Sequence, residues 1–161
     1  MDIEKLVQDN IIDETSLILE NRQIGDEGVL KLSEMQCMES LTTLELGEND
    51  ITNAGVKALC QSTHFANLKT LNLKSNQITA EGARSIAESK SFPKLQQLIM
   101  KFNRIGEEGA KYLAVSENLG QLTTLDLFRN HIGDEGKKAI KSSKNFRFVN
   151  RIRLDWIFES L

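Results

Sequence analysis

Proline is almost missing from this chain: Pro93 is the only one in 161 residues. No Pro-, Gly- or Ser-rich stretch reads as a linker, so nothing marks a domain boundary. Cysteine is scarce as well. Cys37 and Cys60 are too few for a disulfide scaffold and suit a reducing compartment. No apolar run approaches the ~18 residues of a membrane span. No positively charged start leads into an apolar core of the secretory kind. These absences set the expectation of a cytoplasmic location away from membranes. Neither sign of charge dominates, since 20 Lys and Arg stand against 23 Asp and Glu for a net charge of −3. Both signs are spread through the chain, which speaks against nucleic acid as a partner.

What the chain does have is a rhythm. The frame Leu-Asn-Leu-Lys-Ser-Asn-Gln-Ile-Thr-Ala-Glu-Gly begins at Leu71. The same frame begins at Leu17, Leu44, Leu98 and Leu125, with a degenerate copy at Ile152. All five intervals are 27 residues. Such a period is the mark of a stacked repeat architecture, in which each unit buries its apolar face only against its neighbours. The chain reads as one domain over 1–161: an N-terminal cap at 1–13, five repeats at 14–145, and a half-repeat with a C-terminal cap at 146–161.

Each repeat divides into three parts. The pairs Leu17/Leu19, Leu44/Leu46, Leu71/Leu73, Leu98/Met100, Leu125/Leu127 and Ile152/Leu154 alternate with other residues. That period of two predicts a strand with one buried face. Asn then recurs as Asn49, Asn76, Asn103 and Asn130. A buried Asn can satisfy backbone groups of the turn leaving a strand, so the four are expected to form a structural ladder. A helix follows. Thr52 and Thr79 suit its N-cap, and Gly25, Gly106 and Gly133 are acceptable there. Acidic residues in the first turn are placed for the helix dipole. Gly28, Gly55, Gly82, Gly109 and Gly136 fall one turn into the helix, where close helix-to-sheet approach is the expected reason. Leu32, Leu59, Ile86, Leu113 and Ile140 form the helix core. Met38, Phe65, Phe92, Leu119 and Phe146 line the return loop. Because each strand is reached through a returning helix, the sheet is parallel. Arg151, Arg153 and Asp155 are expected to guard the edge of a last strand that has no following neighbour.

Little of this pattern can do chemistry. Cys60 and His64 lie four apart, but no second ligand pair accompanies them, and Cys60 falls at the phase of Ser33, Ala87 and Ala114. A core thiol is the expectation, with no catalytic residue, no metal and no cofactor. His131 falls at a variable loop phase shared with Asp50, Gln77 and Arg104. The Gly-x-x-Gly runs at 25–28, 106–109 and 133–136 lack the Lys-Ser/Thr of a phosphate loop. Lys137, Lys138, Lys141 and Lys144 read as a solvated helix face.

The pattern Leu-x-x-Leu-x-Leu-x-x-Asn-x-Ile-x-x-x-Gly-Ala-x-x-Leu-Ala is nearly whole at 95–114. It resembles the ribonuclease-inhibitor-like subfamily of leucine-rich repeats. The stretches 105–110 and 132–136 resemble bacterial versions, including GALA-type host-directed effectors. The resemblance covers residues 14–157. It implies an α/β solenoid, a short right-handed horseshoe arc with a parallel sheet on its concave face and helices on its convex face. It also implies a monomeric, non-catalytic module that binds a protein partner on the sheet, and an effector would act after translocation into a host cell. Ran GTPase-activating proteins share the repeat class, and Arg104 stands in a strand-to-helix loop. A regulator of a nucleotide switch is therefore a second reading. Self-assembly through the terminal strand is a third.

Outward strand positions are free of the fold's demand for leucine. The first two repeats offer Glu20, Glu45 and Glu48 there, while later ones offer Lys74, Lys101, Arg129, Arg151 and Arg153. Ile99, Phe102, Phe128 and Trp156 add large apolar groups to the later half. Aromatic residues beside arginine are the composition of binding hot spots. The predicted contact set is therefore Ile99, Lys101, Phe102, Phe128, Arg129, Arg153 and Trp156.

Overall fold

The computed structural model describes residues 1–154 and, beyond them, the backbone of strand Phe158–Glu159. The expected contacts at Asp155 and Trp156 lie outside the described residues. After the helix α1 (Ile3–Asn10) and a short strand β1 (Ile11–Ile12), the chain alternates strand and helix. The strands are β2 (Ser16–Ile18), β3 (Thr43–Glu45), β4 (Thr70–Asn72), β5 (Gln97–Ile99), β6 (Thr124–Asp126) and β7 (Arg151–Arg153). The helices between them are α2 (Gly25–Glu34), α3 (Asn53–Gln61), α4 (Ala80–Glu88), α5 (Gly106–Ala114) and α6 (Asp134–Lys141). Strands β2 to β7 pair in sequence order, all parallel, each leucine opposite its counterpart 27 residues on, as Leu71 is opposite Leu98. The sheet stays open. It forms the inner face of a short solenoid arc whose helices stack along the outer face.

The core is the space between the two layers. Leu71 and Leu73 are completely buried, as are Leu44, Leu46, Leu98, Met100, Leu125 and Leu127. Leu59, Ile86 and Leu113 meet them from the helices, and Met38, Phe65 and Phe92 close the return side. At the N-terminus Ile3 and Val7 of α1 lay their side chains over the first repeat. At the other end the structure departs from expectation: β7 is not an edge, because Phe158–Glu159 pairs with it antiparallel as β8. Antiparallel strands thus close both ends of the parallel stack.

The recurring glycines answer to a different neighbour than expected. A Cβ at Gly109 would lie 3.1 Å from the Ala80 Cα, and one at Gly136 would lie 3.2 Å from the Glu107 Cα. Both neighbours belong to the preceding helix or its start. The close approach is therefore helix to helix, not helix to sheet, and it lets neighbouring helices of the outer layer stack closely.

Helix starts are also tied between repeats. The Asp26 Oδ1 accepts from the backbone N–H groups of Thr52 (2.8 Å) and Gly55 (2.9 Å), so it caps the next repeat's helix rather than its own. Asn53 does the same one repeat later, accepting from the N–H groups of Thr79 (2.9 Å) and Gly82 (3.1 Å). Thr52 caps α3 through the Ala54 N–H, but the Thr79 hydroxyl is engaged by the Asn53 amide and makes no cap bond of its own. Gly25 and Gly106 take left-handed backbone at φ +56° and +66°, which glycine adopts without steric cost.

Candidate functional site

The asparagines after each strand are wholly committed to the backbone. The Asn76 Oδ1 accepts from the Asn49 and Ile51 N–H groups at 3.0 Å, and its amide donates to the Leu46 and Leu73 carbonyls at 3.0 Å. Asn103 takes the Ile78 N–H and donates to Leu73 and Met100. Asn130 takes the Ile105 N–H and donates to Met100 and Leu127. Each amide thus ties two successive turns together. A second column had no place in the sequence reading. The Ser62, Ser89, Ser116 and Ser143 hydroxyls each donate to a carbonyl at the end of the preceding helix, those of Ser33, Cys60, Ala87 and Ala114. The 27-residue spacing of those serines was the signal that could have found it.

On the concave face the outward positions are less free than their pattern suggests. The Asn72 and Asp126 side chains are buried there, Asn72 against Glu45 and Asp126 beside Arg153. Their Oδ1 atoms accept from the N–H groups of Lys74 (3.0 Å) and Phe128 (3.1 Å) and so shape the strand exit. Burial pushes the Asp126 carboxyl above its ordinary range, against the opposing pull of the Phe128 N–H and the Arg153 charge. Glu45 is raised by burial too, opposed by its bond from the Asn72 amide.

The charge partition shifts in one respect. The Lys74 Nζ lies 2.6 Å from Glu20 and 4.0 Å from Glu48, so this lysine belongs to the acidic half. Its ammonium is held above the ordinary lysine range, first by the bond to Glu20. The remaining cations of that set, Lys101, Arg129, Arg151 and Arg153, stand on β7 and at the exits of β5 and β6.

The aromatic pair Phe102 and Phe128 meets edge to face with centroids 5.6 Å apart. Phe128 was expected on the surface. It is instead only 6 % exposed, with the Arg153 guanidinium 4.2 Å above its ring centroid and that of Arg129 at 5.6 Å. Phe102 remains 43 % exposed and carries the Lys101 ammonium 5.9 Å from its centroid. It also has left-handed backbone, φ +59°. Other repeats place Asn21, Glu48, Ser75 and Arg129 at that conformation. A bulky aromatic there is a genuine outlier. Ile99 and Lys101 are half-buried beside it. A groove of about 620 Å³ runs along these strand exits, lined by Phe102, Arg104, Phe128, Arg129, His131 and Lys137 among others.

Burial pushes the Cys60 thiol up to about 12, so it holds its proton at neutral pH. The His64 Nδ1 lies 2.9 Å from the Glu39 carboxylate and does not pair with Cys60. Among the described residues no group of three or more His, Cys, Asp or Glu side chains is placed to hold a metal ion. No described helix is long and apolar enough to cross a membrane.

Against known proteins, the family described as Leucine Rich repeat matches residues 37–60, 66–87, 93–114 and 122–141, more than half of the chain. The chain belongs to the leucine-rich repeat family. Such proteins generally mediate protein–protein interaction. No curated protein matches the chain. Among solved structures, an internalin from Listeria monocytogenes is 28 % identical, with a TM-score of 0.48. That alignment covers 78 % of this leucine-rich repeat chain and 31 % of the internalin chain, so the chain spans less than a third of that protein.

Proposed function

We propose that this leucine-rich repeat protein is a non-catalytic module that grips a protein partner with the C-terminal half of its concave sheet. The contact is centred on Phe102, with Ile99, Lys101, Arg129 and Arg153 around it and Phe128 as the buried base that positions Phe102. Trp156 completes the same set on sequence grounds. The observation that carries the reading is the combination at Phe102. Its side chain leaves apolar area in water, and its backbone adopts a conformation costing an L-residue about 1–2 kcal/mol. The edge-to-face contact with Phe128 does no more than offset that strain, so the exposed ring adds little net stability, and binding is its rationale.

The fine pattern of 95–114 supports placement in the ribonuclease-inhibitor-like subfamily. The Gly-Glu-Glu-Gly-Ala and Gly-Asp-Glu-Gly turns support a bacterial, host-directed setting, cytoplasmic or translocated into a host cell. The test is affinity capture with the wild-type chain and Phe102→Asn as parallel baits. A protein held by the wild type and lost by the variant is expected. Equal retention by both baits removes Phe102 from the contact.

A further inference from the structure

The charge on this chain is polarised along the solenoid axis. Residues 1–34 carry 9 acidic and 3 basic side chains, net −6. Residues 128–161 carry 4 acidic and 8 basic side chains, net +4. The stretch between is nearly neutral, with 10 acidic and 9 basic side chains. Each end also bears an apolar feature. At the basic end Phe148 projects from the return loop 57 % exposed, with Arg147 and Glu117 on the same surface and Lys144 four residues before it, Arg147 and Lys144 being exposed as well. At the acidic end a hollow of about 490 Å³ has Met1, Ile3 and Met35 as its apolar part and Asp2, Glu4, Glu34 and Lys31 as its polar rim.

Knob and hollow lie on the same side of the arc. Met35 holds the phase of Ser62, Ser89, Ser116 and Ser143, just past the helix. Phe148 holds the phase of Ser40, Asn67, Lys94 and Gln121, just before the strand. Both therefore sit in the segment that returns from helix to strand. A second copy displaced along the axis, end to end with the first, brings its hollow toward the first copy's knob. We propose that the protein associates head to tail with itself, Phe148 of one copy entering the Met1/Ile3/Met35 hollow of the next. Lys144 and Arg147 then face Asp2, Glu4 and Glu34. The contact is heterologous, so it propagates into open chains rather than closing as a symmetric dimer. Exposed charges supply much of the attraction, and these are screened beyond about 10 Å at 0.1 M salt.

The test is sedimentation velocity of the full chain over a concentration series, in ~20 mM and ~500 mM NaCl. The expected result is a weight-average sedimentation coefficient that rises with concentration at low salt, with association weakened at least about tenfold at high salt. Lys144→Glu/Arg147→Glu and, separately, Glu34→Lys should each remain monomeric. Glu34→Lys leaves α1 untouched, so its behaviour does not depend on that helix staying folded. Mixing the two charge-reversed proteins should restore association as open chains in which the two alternate, and Phe148→Ser should lose it in both salts. A sedimentation coefficient independent of concentration at low salt overturns the proposal. So does association that survives either reversal, or a mixture that stays monomeric. Phe102→Asn should leave this association unchanged, which separates it from the concave-face contact.

Discussion

At the scale of single residues, Phe102 and Phe128 look alike in sequence and behave differently in the fold. Phe128 is packed under two guanidinium groups, so Phe128→Ala should cost about 3 kcal/mol, read as a lower urea midpoint. Phe102→Asn trades two effects of similar size. It relieves left-handed strain worth about 1 kcal/mol and loses an edge-to-face contact worth about 1 kcal/mol. Its melting temperature should stay close to that of the wild type while partner affinity falls by more than about 1 kcal/mol. Asp126 yields a pH prediction. Its carboxyl is held above the ordinary value of 3.8, so the folded state binds that proton more tightly than the unfolded chain. Stability from this group is therefore highest below 3.8 and falls as pH rises through the raised folded value. Glu45 acts in the same direction. Asp126→Asn keeps the acceptor for the Phe128 N–H, as Asn72 does for Lys74, and should flatten the decline in urea midpoint above pH 3.8. An unchanged slope would mean that Asp126 does not contribute to it.

At the scale of elements, the joints between repeats carry the specificity of the fold. Asn103→Ala strands the Ile78 N–H and removes the donors to Leu73 and Met100, all buried. The expected loss is on the order of 3 kcal/mol in denaturant unfolding. Asp26→Ala removes the cap of the neighbouring α3 and should cost about 1–2 kcal/mol, whereas Glu27→Ala, exposed on the same turn, should cost under about 0.5 kcal/mol. If both substitutions cost the same, dipole placement rather than the cross-repeat cap explains the acidic turn. Strands, helices, the buried leucines and the asparagine positions were all legible in the sequence, because each repeats at a fixed phase. The partner of each cap was not. Sequence places Asp26 in the first turn of α2, and only the stacking distance shows that its carboxylate reaches α3. For the same reason periodicity alone points these glycines at the sheet, whereas the neighbouring helix is what they touch.

For the whole molecule, stability is expected to spread outward from the middle. Each repeat gains only from its two neighbours, so the ends lack half of that support. Native-state amide exchange should be slowest in β4, β5 and α4 and fastest in α1 and α6. Uniform protection along the stack would mean the repeats unfold as one cooperative block instead. Accessibility on the proposed contact surface was not legible at this scale. The composition of the later strands singled out its aromatic and cationic residues, but alternation alone could not say which outward positions stay accessible once the sheet curves. Neighbouring side chains bury Asn72, Asp126 and Phe128 while leaving Phe102 out.

The sequence by itself determined the repeat, its 27-residue length, the parallel strand order and the identity of the buried columns. Those follow from periodicity, which is a local property that every unit restates. Tertiary structure alone decided which unit each hydrogen bond crosses to, that the glycines serve helix-to-helix contact, and which of two phenylalanines meets solvent. Those depend on distances between residues about 27 positions apart, and such distances exist only once the units are stacked and bent.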